Sequence, residues 1–450
     1  MQNCTKATQP LQLIFDISGV KKVEGAFDAA EISSDGGLIL VCEADNKLQL
    51  SEQVALRLND SREEGKVIFS LVDMIKQRLY MIATGHEDLN DADYLFNDRM
   101  HKLCNGQNPE TGRNLASDST LQRLENDRTQ EELDKLQELL VYLFIHHQTR
   151  VPYHITLDID GTCDETHGNQ QLSFYNGYYQ TSCFIPLFVF VGSFPVAAIL
   201  RSGKAGPAEG TVEVLTRIVR ILRKAYPKTR IYLRADAGFD EPAIYEYCER
   251  TNITYYIGLP SNSRLEKKSE HLQGMTKRKF LDEFKKEQPE NDEMTRVIQD
   301  VAYAAESWTV WRRVIARCDY KASGFEFRYI VTNDRGGRAQ WLYEDRYCKR
   351  ARCENYIKEL KSVRCDRLSS QEFTANQFRL LLHTFAYILL LVVRNAGPAS
   401  ERHISVESLM LRIIKVGVQI RETARRIYLS WTSSHPWQEA FAYTHARLIS

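Results

Sequence analysis

The stretch from Tyr347 to Lys361, YCKRARCENYIKELK, decides how the rest of the chain is read. It lacks proline and glycine and is rich in good helix formers, so it predicts a helix. Tyr347, Arg350, Glu354 and Lys361 stand at offsets of zero, three, seven and fourteen. At about 100° per residue they fall within an arc of roughly 60°, so one stripe would present a phenol, two bases and an acid. From Arg346 to Arg367 there are eight bases against three acids. Such a surface asks for an anionic partner. Glu354, among so many cations, is either an ion-pair partner or a group that a metal needs.

The whole chain shows no such bias. Lys plus Arg and Asp plus Glu number 59 each over 450 residues, so total charge points to no partner. Length suggests about three domains, and 43% hydrophobic residues a globular protein. The ten cysteines form no CxxC pair and no Cys/His zinc spacing, and read as reduced thiols in a cytoplasmic protein. The opening MQNCTKATQPLQLIF has no basic stretch followed by an apolar run, so no signal peptide is expected. The most apolar run, Leu380 to Val393, is shorter than the ~20 residues of a membrane span and reads as a buried helix. No membrane partner is expected.

Residues 1–150 read as an N-terminal region, a β-arm followed by helices. LQLIFDI and GLILVCEA look β-like around the turn SSDGG, whereas VIFSLVDMIKQRLYMIATG has helical spacing and stops at Gly85. In SDSTLQRLEN, Ser117 or Ser119 can cap a short helix with Leu121 and Leu124 on one side and Gln122, Arg123 and Asn126 on others. Such polar residues reach base edges from a recognition helix, although most short capped helices are scaffold.

The period then changes to two. In YHITLDID, Asp158 and Asp160 share a strand face, with Asp160 at its carboxyl end. CFIPLFVFV and VAAILRS continue a meander, and a loop with Asp164, Glu165 and His167 can approach the same edge. A helix, a strand ending at Asp236, another helix and the strand ITYYIGLP complete residues 151–259. Three strands followed by helix and strand in alternation predict a mixed sheet in which the strands ending at Asp160 and Asp236 lie side by side. Residues 260–340 read as a β-rich insertion: a charged, solvated surface, then a hairpin with Trp308 and Trp311 near its start. Residues 341–398 carry the helix with Glu354 and an apolar helix from about Phe373. Residues 399–450 form a small C-terminal unit.

Asp160, Asp236 and Glu354 suit two-metal phosphoryl transfer, in which two divalent ions about 3.5–4 Å apart clamp the attacking and leaving oxygens. Acidic oxygen ligands suit hard, magnesium-like ions. On these residues the chain resembles the DDE transposases of bacterial insertion sequences, in the group marked by a Tyr-x2-Arg-x3-Glu-x6-Lys signature. Tyr347, Arg350, Glu354 and Lys361 match it, with Asp160-Gly-Thr162 and Asp236-Ala-Gly238 in the supporting positions. The LDIDGT and HGNQQ segments look like the insertion-sequence 1380 group.

The resemblance implies a mixed α/β, ribonuclease-H-like catalytic core interrupted by the β-rich insertion, with a mainly helical N-terminal DNA-binding region. It implies that Asp160, Asp236 and Glu354 bind two Mg2+ ions, for which Mn2+ can substitute. Tyr347, Arg350 and Lys361 would contact the transposon end, and Trp308 or Trp311 would stack on a flipped base. Asp158 is the alternative first ligand. The implied activity is strand cleavage at terminal inverted repeats and transfer by the freed 3′-hydroxyl, on double-stranded end and target DNA, by a DNA-assembled homodimer. A silent end-binding protein or repressor, and a ribonuclease-H-fold nuclease without strand transfer, are the alternatives.

Overall fold

Apolar spacing along the chain passes from three-and-four to two and back, and the computed structural model, which describes residues 12–290 and 292–450, follows these changes. The N-terminal region contains α1 (Leu38–Leu48), α2 (Leu71–Ala83), α3 (Asp118–Asn126) and α4 (Gln130–His147). Capping boxes start α2 (Ser70 with Asp73) and α4 (Thr129 with Glu132); they satisfy N–H groups that the first turn leaves free. The β-like reading of GLILVCEA is corrected to α1. Leu38, Val41, Ala44 and Leu48 are buried at three-and-four spacing, a period that eight residues are too few to display. In the β-arm, Leu13–Phe15 pairs antiparallel with Val23–Gly25. Residues 1–11, most of the segment read for a signal peptide, lie outside the described residues.

The alternating region forms one mixed sheet of eight strands: β1 (His154–Gly161), β2 (Leu187–Val191), β3 (Phe194–Ile199), β4 (Arg230–Ala235), β5 (Ile253–Leu259), β6 (Thr295–Val301), β7 (Arg313–Lys321) and β8 (Gly324–Thr332). Their order is β6-β7-β8-β5-β4-β1-β2-β3, with β1, β4 and β5 parallel and the other neighbours antiparallel. Helix α5 (Thr211–Ala225) leads into β4 and α6 (Pro242–Arg250) into β5. The run β3-β2-β1-β4-β5 is consistent with a ribonuclease-H-like core and makes the two acid-bearing strands neighbours.

The β-rich segment extends the central sheet and has an apolar cluster of its own, with Leu265 and Leu272 among Val301, Val314 and Tyr329. β8 pairs with β5, and β7 and β6 follow, so the central sheet simply widens. The charged stretch after Pro260, expected as solvated surface, contains the long helix α7 (Ser263–Phe284). Its buried face is Leu265, Ser269, Leu272, Thr276 and Phe280. Two of those five are hydroxyl residues that donate to the carbonyls of Leu265 and Leu272, at 2.8 and 2.7 Å, which dilutes the apolar period among many charges.

After β8 come α8 (Arg352–Lys361), α9 (Phe373–Ala396) and α10 (Gln438–Leu448). α9 is long and apolar enough to cross a membrane, yet its most apolar window is 100% buried inside the protein. It packs against α1 to α4, β3 and α10, and one large apolar cluster includes residues of the N-terminal region, the sheet and the C-terminal unit, from Leu38 to Leu448. The boundaries at 150 and 398 are therefore not breaks in packing. The exposed edge of β3 is covered from both sides: Gln137 and Gln377 each donate to Ala198 O (2.5 and 3.0 Å) and accept from the backbone N–H of Ala198 and Leu200. Two helix side chains thus take the place of a ninth strand. In the C-terminal unit, Val418–Glu422 joins Ile427–Trp431 to Ile32–Ser33 of the N-terminal region.

Leu389, fully buried at the middle of α9, reports on this shared core. Leu389→Ala should cost about 2–5 kcal/mol in urea unfolding, with all helices of the N-terminal region lost in the same transition.

Candidate active site

Strand register decides which acids meet. β1 and β4 run parallel with Asp158 opposite Arg234. Two residues on, Asp160 and Asp236 leave adjacent strands at the same level, on backbones about 4.8 Å apart. Asp158 and Asp160 share a face of β1 but differ in use. Asp158 accepts a two-pronged bond from Arg234, Nε to Oδ1 at 2.5 Å and Nη2 to Oδ2 at 2.6 Å, the geometry that suits a guanidinium and a carboxylate best. Asp160 accepts only from the Gly161 N–H at 2.9 Å and lies 3.5 Å from Arg350. Asp236 caps the short turn Ala237–Phe239 through the Gly238 N–H at 2.9 Å. Both Asp158 oxygens are thus taken by Arg234, whereas Asp160 Oδ2 accepts no hydrogen bond among the described residues.

The opening stretch is helical but not one α-helix. A π-helical turn, Leu342–Tyr347, and a 3-10 turn, Cys348–Ala351, precede α8. The even stripe expected at 100° per residue therefore separates into three contacts. Tyr347 reaches into the gap left by Gly258, where an added Cβ would lie 2.9 Å from the phenol oxygen and 2.6 Å from Ala237 N. Arg350 spans the acids, with Nη1 3.5 Å from Asp160 and Nη2 3.4 Å from Glu354. Lys361, expected on phosphate, is half-buried: Nζ lies 2.8 Å from Asp164 Oδ1 and donates to Cys163 O at 2.8 Å. Burial pushes the Asp164 carboxyl up to about 6 and Lys361 opposes the rise; no sequence pattern linked the two.

Burial and then the Asp236 charge push the Asp160 carboxyl up to about 6; Arg350 opposes, and Glu354 adds to the rise. Among the described residues, only Asp35, His86 and His101 gather three ligand atoms within 4.8 Å. The set around Asp160 is more open, with Arg350 between two of its members. It is an all-oxygen donor set whose mutual repulsion a hard divalent cation would relieve, and so it fits Mg2+ or Mn2+.

Other expected residues fall elsewhere. Arg313 is level with Thr332 and hence with Tyr256 and Arg234, so Trp308 and Trp311, which precede it, lie toward the amino ends of β4 and β5, away from the acids. Trp308 is packed edge-on against Tyr245 and Tyr303, while Trp311 is 62% exposed. Arg123 is exposed on α3 with Gln122 and Asn126, lining a cleft of about 690 Å³ with Arg62 and Lys66. Ser117 precedes α3, but its hydroxyl does not cap the helix. His167 is exposed, in a cleft with Arg367 and Gln170. Every cysteine among the described residues is free. Arg352, Lys358 and Arg364 were only part of the charge count, yet they are exposed and form no ion pair among the described residues. Only the burial of their neighbours marks them out.

The family model described as Transposase DDE domain group 1 matches residues 15–450. The chain belongs to that family, the DDE transposases, whose members are catalytic and generally use divalent metal ions. Among solved structures it is similar to one described as the cryo-EM structure of piggyBac transposase synaptic complex with hairpin DNA, at 11% identity and a TM-score of 0.43, over 84% of this chain and 79% of that one. That likeness is too loose to place any side chain. No curated protein matches.

Two variants separate the aspartates. Arg234→Met strands the Asp158 carboxylate in the interior and should cost about 3–5 kcal/mol in chemical unfolding. Asp160 has its pKa raised from 3.8 to about 6 by folding, so it lowers the stability of the metal-free protein as pH rises through that window. Asp160→Asn should lessen the fall seen in thermal scans between pH 4 and 7, leaving the share of Asp164, which burial also raises to about 6. Gly258→Ala, which presses on Tyr347 and the Asp236 turn, should reduce Mn2+-dependent cleavage at least tenfold while leaving the far-UV spectrum unchanged.

Proposed function

We propose that this chain is the transposase of a bacterial insertion sequence of the Tyr-x2-Arg-x3-Glu-x6-Lys group, in the insertion-sequence 1380 subgroup. It would bind the element's terminal inverted repeats, cleave a strand at each end and transfer the 3′-hydroxyl to target DNA. The observation that carries this reading is the in-register exit of Asp160 and Asp236 from neighbouring strands, with Glu354 and Arg350 facing Asp160, while Asp158 is withdrawn by Arg234.

Asp160, Asp236 and Glu354 would hold the divalent ions. When bound, these supply Lewis-acid activation of water and stabilise the leaving oxygen. Arg350 balances two of the acids and orients them. Tyr347 wedges the Asp236 turn against β5. Lys361 acts on the site through Asp164, holding the loop after β1. Arg352, Lys358 and Arg364 are the bases left for backbone phosphates, and Gln122, Arg123 and Asn126 are the surface offered to base edges. Two ends brought together imply a DNA-assembled dimer of a cytoplasmic protein.

The test is purified protein with the inverted repeats and Mg2+ or Mn2+. Glu354→Gln should shift the DNA normally but give no nick, and wild type should join the new 3′-hydroxyl to a second duplex. Lys358→Ala with Arg364→Ala should weaken binding in 100 mM salt and lower the slope of log affinity against log salt by about two. Cleavage unchanged in Glu354→Gln would refute the assignment.

A further inference from the structure

Asp35, His86 and His101 belong to no part of the acid site. Asp35 follows the strand Ile32–Ser33, His86 lies just beyond α2, and His101 sits on the short helix Arg99–Cys104. Asp35 Oδ2 stands 3.1 Å from His86 Nε2 and 3.0 Å from His101 Nε2. The side chains of Asp35 and His101 are 2% and 0% exposed, that of His86 26%. The ammonium of Lys415 is 2.7 Å from Asp35 Oδ1 and 3.1 Å from His86 Nε2.

Protons cannot satisfy these contacts together. If His86 Nε2 carries a hydrogen, it donates to Asp35 but meets Lys415 donor to donor. If it carries none, it accepts from Lys415 but faces the carboxylate lone pair to lone pair. A cation placed where Oδ2 and the two Nε2 atoms converge uses all three lone pairs. The O···N separations of 3.0 and 3.1 Å are close to the edge of about 3.3 Å of a tetrahedron with bonds of ~2.0–2.1 Å. Without an ion, Asp35 favours the His101 hydrogen on Nε2; an ion there would move it to Nδ1, which has no partner among the described residues. Two imidazoles and a carboxylate favour a borderline ion such as zinc over magnesium.

We propose that Asp35, His86 and His101 form a zinc-class cation site, separate from the catalytic acids, with water in the fourth position. Lys415, 31% exposed, is the internal competitor: its ammonium swings outward when the ion enters. The site lies at the clasp between the two ends of the chain, where Gly36 N–H donates to Val416 O at 2.8 Å, Gly37 N–H to Ile414 O at 3.0 Å and Trp431 Nε1 to Gly36 O at 3.0 Å. An ion there would staple the N-terminal region and hold the clasp that the C-terminal unit grips.

The full chain, stripped with chelator, would be titrated with Zn2+ by calorimetry, and retained zinc counted after gel filtration, in the Asp160→Asn background so that the catalytic acids do not contribute. One zinc per chain is expected, undisturbed by millimolar Mg2+. His86→Ala, at a partly exposed position, should weaken binding at least tenfold, and Lys415→Met should tighten it. Co2+ in place of zinc should give the visible bands of a tetrahedral site without a thiolate charge-transfer band. No zinc retained, retention unchanged in His86→Ala, or a thiolate band that places the ion on cysteines would each overturn the proposal.

Discussion

The pairing of β1 with β4 is the constraint on which the site depends. A shift of one residue would turn every side chain of β1 to the opposite face. The two-pronged bond between Asp158 and Arg234 lies across that ladder, two residues short of the acids. It is buried, so the correct register alone pairs both charges, and a slipped one strands a carboxylate in the interior. Asp160 and Asp236 then arrive side by side with no further choice. Burial first, and then the neighbouring Asp236 charge, raise the Asp160 carboxyl.

Around this pair most buried apolar residues join one large core, with smaller clusters under α7 and around Tyr343. α9 is the hub, touching the N-terminal helices, the edge of the sheet and α10. The central sheet and the N-terminal helices therefore share one hydrophobic cluster, and a surface on α3 is positioned by the same packing that positions the sheet. Glu125, fully buried beneath that surface, holds Arg78 of α2 and Arg379 of α9, so the helix offering Gln122, Arg123 and Asn126 is anchored from below.

The segment before α8 shows how local winding divides labour within a signature. Passing through a π turn and a 3-10 turn changes the angle between successive residues. Tyr347, Arg350 and Lys361 thus meet three different neighbours, the Gly258 gap, Asp160 with Glu354, and Asp164. Signature bases turn inward to acids, while Arg352, Lys358 and Arg364 keep their charge for solvent or an anion.

What the sequence by itself determined is periodic or covalent. Alternation along YHITLDID set the face of Asp158 and Asp160, the strand and helix order predicted adjacent strands for Asp160 and Asp236, and the spacing around Glu354 marked the family. GLILVCEA misled because eight residues hold too little of a helical period, and α7 was hidden because hydroxyls stand in for apolar residues on its buried face. Only the tertiary structure decided that Asp158 goes to Arg234, that Lys361 goes to Asp164, that the tryptophans lie away from the acids, and that Asp35 meets His86 and His101. These are pairings between residues far apart in the chain. They are settled by which charge is buried beside which, and one-dimensional spacing carries no record of that.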